Sequence, residues 1–559
     1  MRIRTRSSRN RELLQNATVK LSIHRPRYGP FTLDTQEEIL APNPTGREEF
    51  VVKNPATGEN ITSIYMSNER DARTAIYHAN EIFKSGEWSK APAQMRAGIL
   101  SNLARSLEER IDEFAQLESM QTGRAIREMK AQMSRLPEWL DYYAGLLRTR
   151  QDFIAPTHGK LLNYVQRVPL GVVAQITVSS QCTLRDDDDV IENLQPFNHP
   201  LLIALKKIVP ALAAGNSVIV KPSELAPISV LEFAEMVVAE GVPPGVLSVL
   251  PGYGRTIAKT LASDPFVRKV DITAGTSTGR TLGGIVGSNL ASFTAELGGK
   301  APIVVFNDAD PISAANGAAF ACFVASGQTC VSGTRLIVQD KIYDEFMRLF
   351  MQKVHIIRAG MGNPLNPACT MGPIISSRQL EHIENMVQRP GVGKILAGGQ
   401  RLTGKSALDD FNFSKGSFFP PTVIADVATE DDLWREEIFG PVVVVKRFEA
   451  SSLLPFNALD TDTRAAIARI WTRDVSRAHQ VASEIEAGIV WVNTHHRNDP
   501  SSPWGGMKES GIGRENGIEA LEAYSQSKST IVNIASVEET RQAQDWFAED
   551  DNTLEKRYG

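Results

Sequence analysis

The stretch HPLLIALKKIVPALAAGNSVIVKP, residues 199–222, decides the fold class. Its first part reads as a helix and its end, SVIVKP, as a short β-branched strand. The strand signal recurs in GVVAQI (171–176), LSVLPG (247–252) and KVDITAG (269–275), with helix-like segments between them. This alternation predicts parallel strands joined by crossover helices, a doubly wound α/β sheet. A second alternating block covers about residues 301–492, with PIVVF, TRLIV, PVVVVKRF and GIVWVN. Upstream, residues 46–65 read as strands about the turn Asn54-Pro55-Ala56-Thr57-Gly58. Helical patterns follow over 71–83 and 93–122, where Ile99, Leu100, Leu103, Leu107 and Ile111 recur at helical spacing.

At 559 residues the chain exceeds one compact core, so two or three domains are expected. With 42% hydrophobic residues, 22% charged residues and a net charge of -5, nothing points to nucleic acid or a membrane surface as partner. No apolar run approaches the roughly 18 residues of a membrane helix. Cys182, Cys322, Cys330 and Cys369 form no CxxC pair. They argue against a disulfide framework or a metal site, and for a reducing compartment. The first 27 residues carry seven arginines and one acid, Glu12. Such a leader is either a solvated basic tail or a mitochondrial transit peptide, and it lacks the apolar core of a secretion signal. A cytoplasmic location is the expectation and a mitochondrial one the alternative.

Several residues stand where chemistry is possible. Cys330, in ASGQTCVSGTR (325–335), follows Ser326 and Gly327 within a helix-like segment. A backbone N–H near a helix start can stabilise a thiolate and an oxyanion, although a lone cysteine is more often a small buried hydrophobe. Glu296, in FTAELGGKAP (293–302), lies between an apolar strand and a Gly-Gly turn. An acid there can have a raised pKa and act as a general base, or it can simply cap a helix. In ITAGTSTGR (272–280), Gly275 and Gly279 can bring backbone N–H groups to a pyrophosphate, a weak signal alone. Lys221 and Glu224 in VIVKPSE lie just past a strand end, where nucleotide ribose is often held; an ordinary Pro turn is the plain reading. EEIFGPV places Glu437 and Phe439 on a loop before Gly440-Pro441.

Taken in order, NPATGE, PFNHPL, AAGNSVIVKPSE, ITAGTSTG, ELGGKAP, GQTC, EEIFGPV, GIVWVN and PWGGMKESGIGRE resemble the aldehyde dehydrogenase superfamily from about residue 51 to 533. The resemblance implies a Rossmann-type cofactor domain (46–150 and 169–297), an α/β catalytic domain (298–500) and a small β oligomerisation element (151–168 and 520–533). Residues 1–45 would be a poorly ordered extension and 534–559 a fraying polar tail. It implies Cys330 as nucleophile, Asn198 with the Cys330 N–H as oxyanion hole, and Glu296 as the base of a hydrolytic, non-acylating enzyme. Glu437 and Phe439 would serve the nicotinamide riboside, and Lys221 and Glu224 the adenosine ribose. The Glu224 carboxylate would repel a 2′-phosphate, so NAD+ is expected before NADP+. The resemblance further implies a homodimer or homotetramer acting on an aldehyde.

The chain departs from the family twice. Residues 456–474 lack the family's Asn-Asp and Tyr-Gly-Leu pattern and show Asp460-Thr461-Asp462 instead, which puts a turn bordering the site in doubt. Residues 178–195, with four aspartates at 186–189, interrupt a motif that would otherwise read GVVAQITPFNHPL. Three readings of this insert stand: a cation site, a surface lid, or a translated intron of 18 codons. Adjacent aspartates cannot all face one ion, and no glycine sets a calcium-loop turn. An acidic insert beside Asn198 raises a competing class, a catalytically impaired homologue that serves as a nucleotide-binding or scaffold protein. His495, His496 and Arg497 lie where the family often lines its substrate entrance, so an acidic or aromatic substrate and an ordinary loop are both open.

Overall fold

A computed structural model describes residues 47–177, 197–449, 464–465 and 467–544. The Arg-rich leader and the insert with its aspartates lie outside the described residues, as does the first part of the first departure, including Asp460-Thr461-Asp462.

Six strands form one sheet in the order Gly511–Ile512, Ser292–Glu296, Val267–Thr273, Val172–Thr177, Ser217–Lys221 and Leu247–Val249. All neighbours are parallel except Gly511–Ile512, which runs antiparallel beside Ser292–Glu296. Val172–Thr177 and Ser217–Lys221 are buried at every position, as expected of strands covered on both faces. One face packs Val218 and Val220 against Leu205, Ile208, Leu103 and Leu140. The other packs Ala174, Ile176 and Ile272 against Ile257, Leu261 and Leu282. The doubly wound expectation holds.

The helix Pro200–Ala214 explains the opening stretch. Pro200 stands in its first turn, where a missing N–H costs nothing. Gly215 ends it in the left-handed conformation at φ 93°. Asn216 then fastens three elements: its Oδ1 accepts from Leu170 N (2.8 Å) and Gly171 N (3.1 Å), and its Nδ2 donates to Tyr524 O (2.8 Å).

A second sheet of seven strands runs Lys394–Ala397, Thr422–Ala425, Val442–Phe448, Gly333–Gln339, Ala301–Val305, Ile467–Trp471 and Ile489–Val492. It too is covered on both faces, by Phe346 and Phe350 on one side and Leu380, Ile383 and Trp434 on the other. Three antiparallel strands, Phe153–Ala155, Leu161–Pro169 and Ser525–Asn533, form a separate sheet. It leaves Phe153, Ile154 and Ile531 at least 60% exposed.

The polar tail begins with a helix, Val537–Gln544. Ser536 and Glu539 make its capping box: Glu539 N donates to Ser536 Oγ (3.2 Å) and Ser536 N to Glu539 Oε2 (3.0 Å). Among the described residues no helix is long and apolar enough to cross a membrane, and no group of three His, Cys, Asp or Glu residues is placed to hold a metal ion.

Candidate active site

Cys330 does not lie in a helix. The helix Pro311–Phe323 ends before it, and Ala325, Ser326 and Gly327 take left-handed φ values of 54°, 56° and 67°. L-residues do not continue a right-handed helix through such a run, so Cys330 sits in a turn before the strand Gly333–Gln339. Hydrogen bonds hold the turn: Ser326 Oγ donates to Gly372 O (2.9 Å), and Ile375 N donates to Gln328 Oε1 (3.1 Å). A Cβ at Gly327 would lie 2.2 Å from Gly440 O, so this turn and the loop carrying Glu437 touch through backbone. The turn does not lower the thiol pKa. Burial, then the Glu437 and Glu296 carboxylates, push it up to about 12.

Glu296 ends its strand opposite Gly511. Its Oε1 is buried without a hydrogen-bond partner among the described residues. Burial, then the like charge of Glu515, raise its carboxyl well above the usual range. A Cβ on Gly505 would come within 2.8 Å of that oxygen, so glycine leaves the carboxylate its room. Glu437 lies on the other side: a Cβ on Gly298 would come within 2.4 Å of its Oε2. Gln379 Nε2 fixes the Glu437 loop by donating to Ile438 O (3.0 Å) and Phe439 O (3.1 Å). Phe439, at φ 54°, meets Phe197 edge to face with ring centres 5.7 Å apart.

Asn198 immediately precedes the cap of Pro200–Ala214 and is buried. Its backbone oxygen accepts from Arg124 Nη1 (3.1 Å), and its side-chain oxygen has no partner among the described residues. Arg124 pairs with Glu128 (3.1 Å), whose Oε2 accepts from Ala325 N (3.1 Å). The Asn198 turn and the Cys330 turn are thus tied through one ion pair.

Lys221 and Glu224 stand three strands from Glu296, roughly 14 Å across the sheet at the usual strand spacing. Lys221 donates to Pro222 O (3.0 Å) and lies 3.7 Å from Glu224 Oε2. Burial lowers Lys221 to about 8 and raises Glu224. Between them and Glu296, Gly275 caps the helix Thr276–Ser288. Gly279 serves close packing there: a Cβ would lie 2.6 Å from the Leu297 side chain. The sequence-selected residues therefore form two groups along one edge, with Cys330, Glu296 and Glu437 together and Lys221 with Glu224 apart.

The aldehyde dehydrogenase family matches residues 43–178 and 183–530. The chain belongs to that family. Aldehyde dehydrogenase [NAD(P)+] 2 of Saccharomyces cerevisiae is 37% identical over 494 residues, 86% of this chain and 91% of the yeast protein. Among solved structures, betaine aldehyde dehydrogenase from Staphylococcus aureus in complex with NAD+ superposes with TM-score 0.81 at 31% identity, covering 90% of this chain and 94% of that one. PnpE from Pseudomonas sp. WBC-3 gives TM-score 0.79 at 35% identity, covering 88% and 95%. The family match breaks at 179–182, within the insert.

This aldehyde dehydrogenase also holds site residues that the motifs did not point to. Lys206 Nζ lies 2.6 Å from Glu515 Oε2 and 4.6 Å from the centre of the Trp504 ring. Lys207 bridges Asp271 and Glu515. Both lysines are buried in a helix that is otherwise nearly all apolar, and that pair of charges was the available signal. Arg469, fully buried on Ile467–Trp471, lies in the stretch where the sequence leaves the family pattern.

Proposed function

We propose that the chain is an NAD(P)+-dependent dehydrogenase that oxidises an aldehyde to a carboxylic acid, with Cys330 as nucleophile and Glu296 as base. The observation that carries this reading is the Glu296 carboxyl, raised by burial, with one oxygen lacking a partner among the described residues, in electrostatic contact with the Cys330 thiol. The family membership and the relatives' use of NAD+ and NADP+ support the same chemistry.

The residues fit a dinucleotide. Glu224 Oε2 is a buried acceptor with no hydrogen bond within normal reach among the described residues, 3.7 Å from Lys221 Nζ, and it suits a ribose hydroxyl. Glu437 and Phe439 would hold the nicotinamide riboside, and the helix N-terminus that Gly275 caps would offer its N–H groups to the phosphates. Glu224 disfavours a 2′-phosphate, so NAD+ is preferred. When bound, the nicotinamide supplies the hydride acceptor.

Cys330 gives its thiol proton to water and Sγ bonds the aldehyde carbon, the C=O π pair moving onto the former carbonyl oxygen as negative charge. The Asn198 amide and the Cys330 N–H stabilise that charge, each donor worth a few kcal/mol in a water-poor site. Once the carbon is oxidised, the acyl group is a thioester on Cys330. Glu296 takes a proton from water, the oxygen attacks the thioester, and the acid departs with the thiolate restored. Lys206 and Lys207 oppose burial and the like charge of Glu515, which together raise the Glu296 carboxyl.

The sheet of Phe153–Ala155, Leu161–Pro169 and Ser525–Asn533, which exposes Phe153, Ile154 and Ile531, would be the surface for a homodimer or homotetramer. NADH formation from a panel of aldehydes tests the activity. Cys330→Ala should abolish it; residual hydride transfer would refute the assignment.

A further inference from the structure

Arg469 is completely buried, and the described residues give it no carboxylate. It sits on Ile467–Trp471, in register with Trp491 of the adjacent strand, and its guanidinium lies 5.2 Å from the Trp491 ring centre. Nε donates to His495 Nδ1 (2.5 Å) and Nη2 to Val331 O. Nη1 has no partner among the described residues. A buried guanidinium with an unused donor is costly unless something anionic completes it.

The surroundings repeat this pattern. His495 Nε2 and His496 Nδ1 are buried and have no hydrogen-bond partner among the described residues. Burial holds both imidazoles below their usual range, and Arg469 adds to the effect, so they are neutral hydrogen-bonding groups. The nearby cations are already paired, Arg124 with Glu128 and Lys206 with Glu515. Among the described residues Arg469 is the one of these cations without a carboxylate. The cluster also has a direction. At one end it bonds the carbonyl of Val331, the residue after Cys330; at the other, His495 packs on Phe320 (5.4 Å), which is 49% exposed. A wall of aromatic and hydrogen-bonding side chains thus leads from the surface to the thiol.

We propose that the preferred aldehyde carries a carboxylate, bound by Arg469 with His495 and His496, and separated from the aldehyde carbon by a short apolar spacer. The spacer is short because the guanidinium reaches the residue next to Cys330. Trp491 and Trp504, packed in the cluster that includes Cys330, border the apolar part. Charge-assisted bonds to a guanidinium are among the stronger pairings available to a carboxylate, more so where water is excluded. The proposal rests on Cys330 being the nucleophile.

The test uses the full chain with NAD+ and two aldehydes of similar shape, 4-oxobutanoate and 4-methylpentanal. The wild type should favour 4-oxobutanoate by about 100-fold in kcat/KM, as expected for one desolvated charge pair. Arg469→Met should bring the two within about threefold, chiefly through KM, and Arg469→Lys should recover part of the preference. Succinate should quench tryptophan fluorescence saturably in the wild type and not in Arg469→Met, while neutral succinamide should have no effect. Equal or better use of 4-methylpentanal, with no saturable succinate binding, would overturn the proposal while leaving the dehydrogenase reading in place. Arg469-dependent succinate binding without turnover of either aldehyde would support the anion site and count against the dehydrogenase reading instead.

Discussion

Gly298 lies directly against the Glu437 carboxylate: a Cβ at Gly298 would come within 2.4 Å of Oε2. The atom displaced is the far end of a flexible side chain, so Gly298→Ala should move Glu437 rather than unfold the chain. Thermal unfolding should change little. The KM for NAD+ should rise roughly 10- to 100-fold, the scale of a lost hydrogen bond to a charged group.

Gly327 behaves differently. Its φ is 67°, and a Cβ would meet Gly440 O at 2.2 Å, which is backbone and cannot swing away. Gly327→Ala should cost about 2 kcal/mol or more and lower Tm, read by calorimetry.

The Cys330 thiol sits near pKa 12, raised by burial and by Glu437 and Glu296. Below that value the thiolate fraction grows about tenfold per pH unit. Alkylation of the dinucleotide-free protein by iodoacetamide should therefore be slow at neutral pH and accelerate steeply between about pH 7 and 9. Glu437→Gln should accelerate it at fixed pH, because the larger of the two neighbouring carboxylate contributions is removed. Intact mass and peptide mapping to Cys330 give the rate.

Residues 178–195 separate the strand that ends at Thr177 from the Asn198 turn. Misplacing an oxyanion donor by about 1 Å can cost about 100-fold in rate. Deleting these residues should raise NADH formation by one to two orders of magnitude. If they are a translated intron, transcript reads across the site will lack the 54 nucleotides that the 18 codons represent.

Both sheets were legible in the sequence, because β-branched runs and apolar helices alternate and the central parallel strands are buried on two faces. The strand-end positions of Lys221, Glu224 and Glu296 follow from those runs. The turn at Cys330 was misread as helical: three successive left-handed residues leave no mark in sequence when only one is glycine. The Lys206–Glu515 pair was hidden because its members meet only when Gly511–Ile512 joins the first sheet. Arg469 was hidden in the stretch that departs from the family, where the missing pattern drew notice and the added side chain did not.

We propose that oxidation passes through an acyl group on Cys330 that Glu296 helps water to remove. Glu296→Gln, mixed with aldehyde and NAD+, should give a single burst of one NADH per active site and then nearly stop. Intact mass should show the acyl adduct on Cys330, absent from the Cys330→Ala/Glu296→Gln double variant. Sustained turnover in Glu296→Gln, or a burst with no adduct on Cys330, would contradict the account.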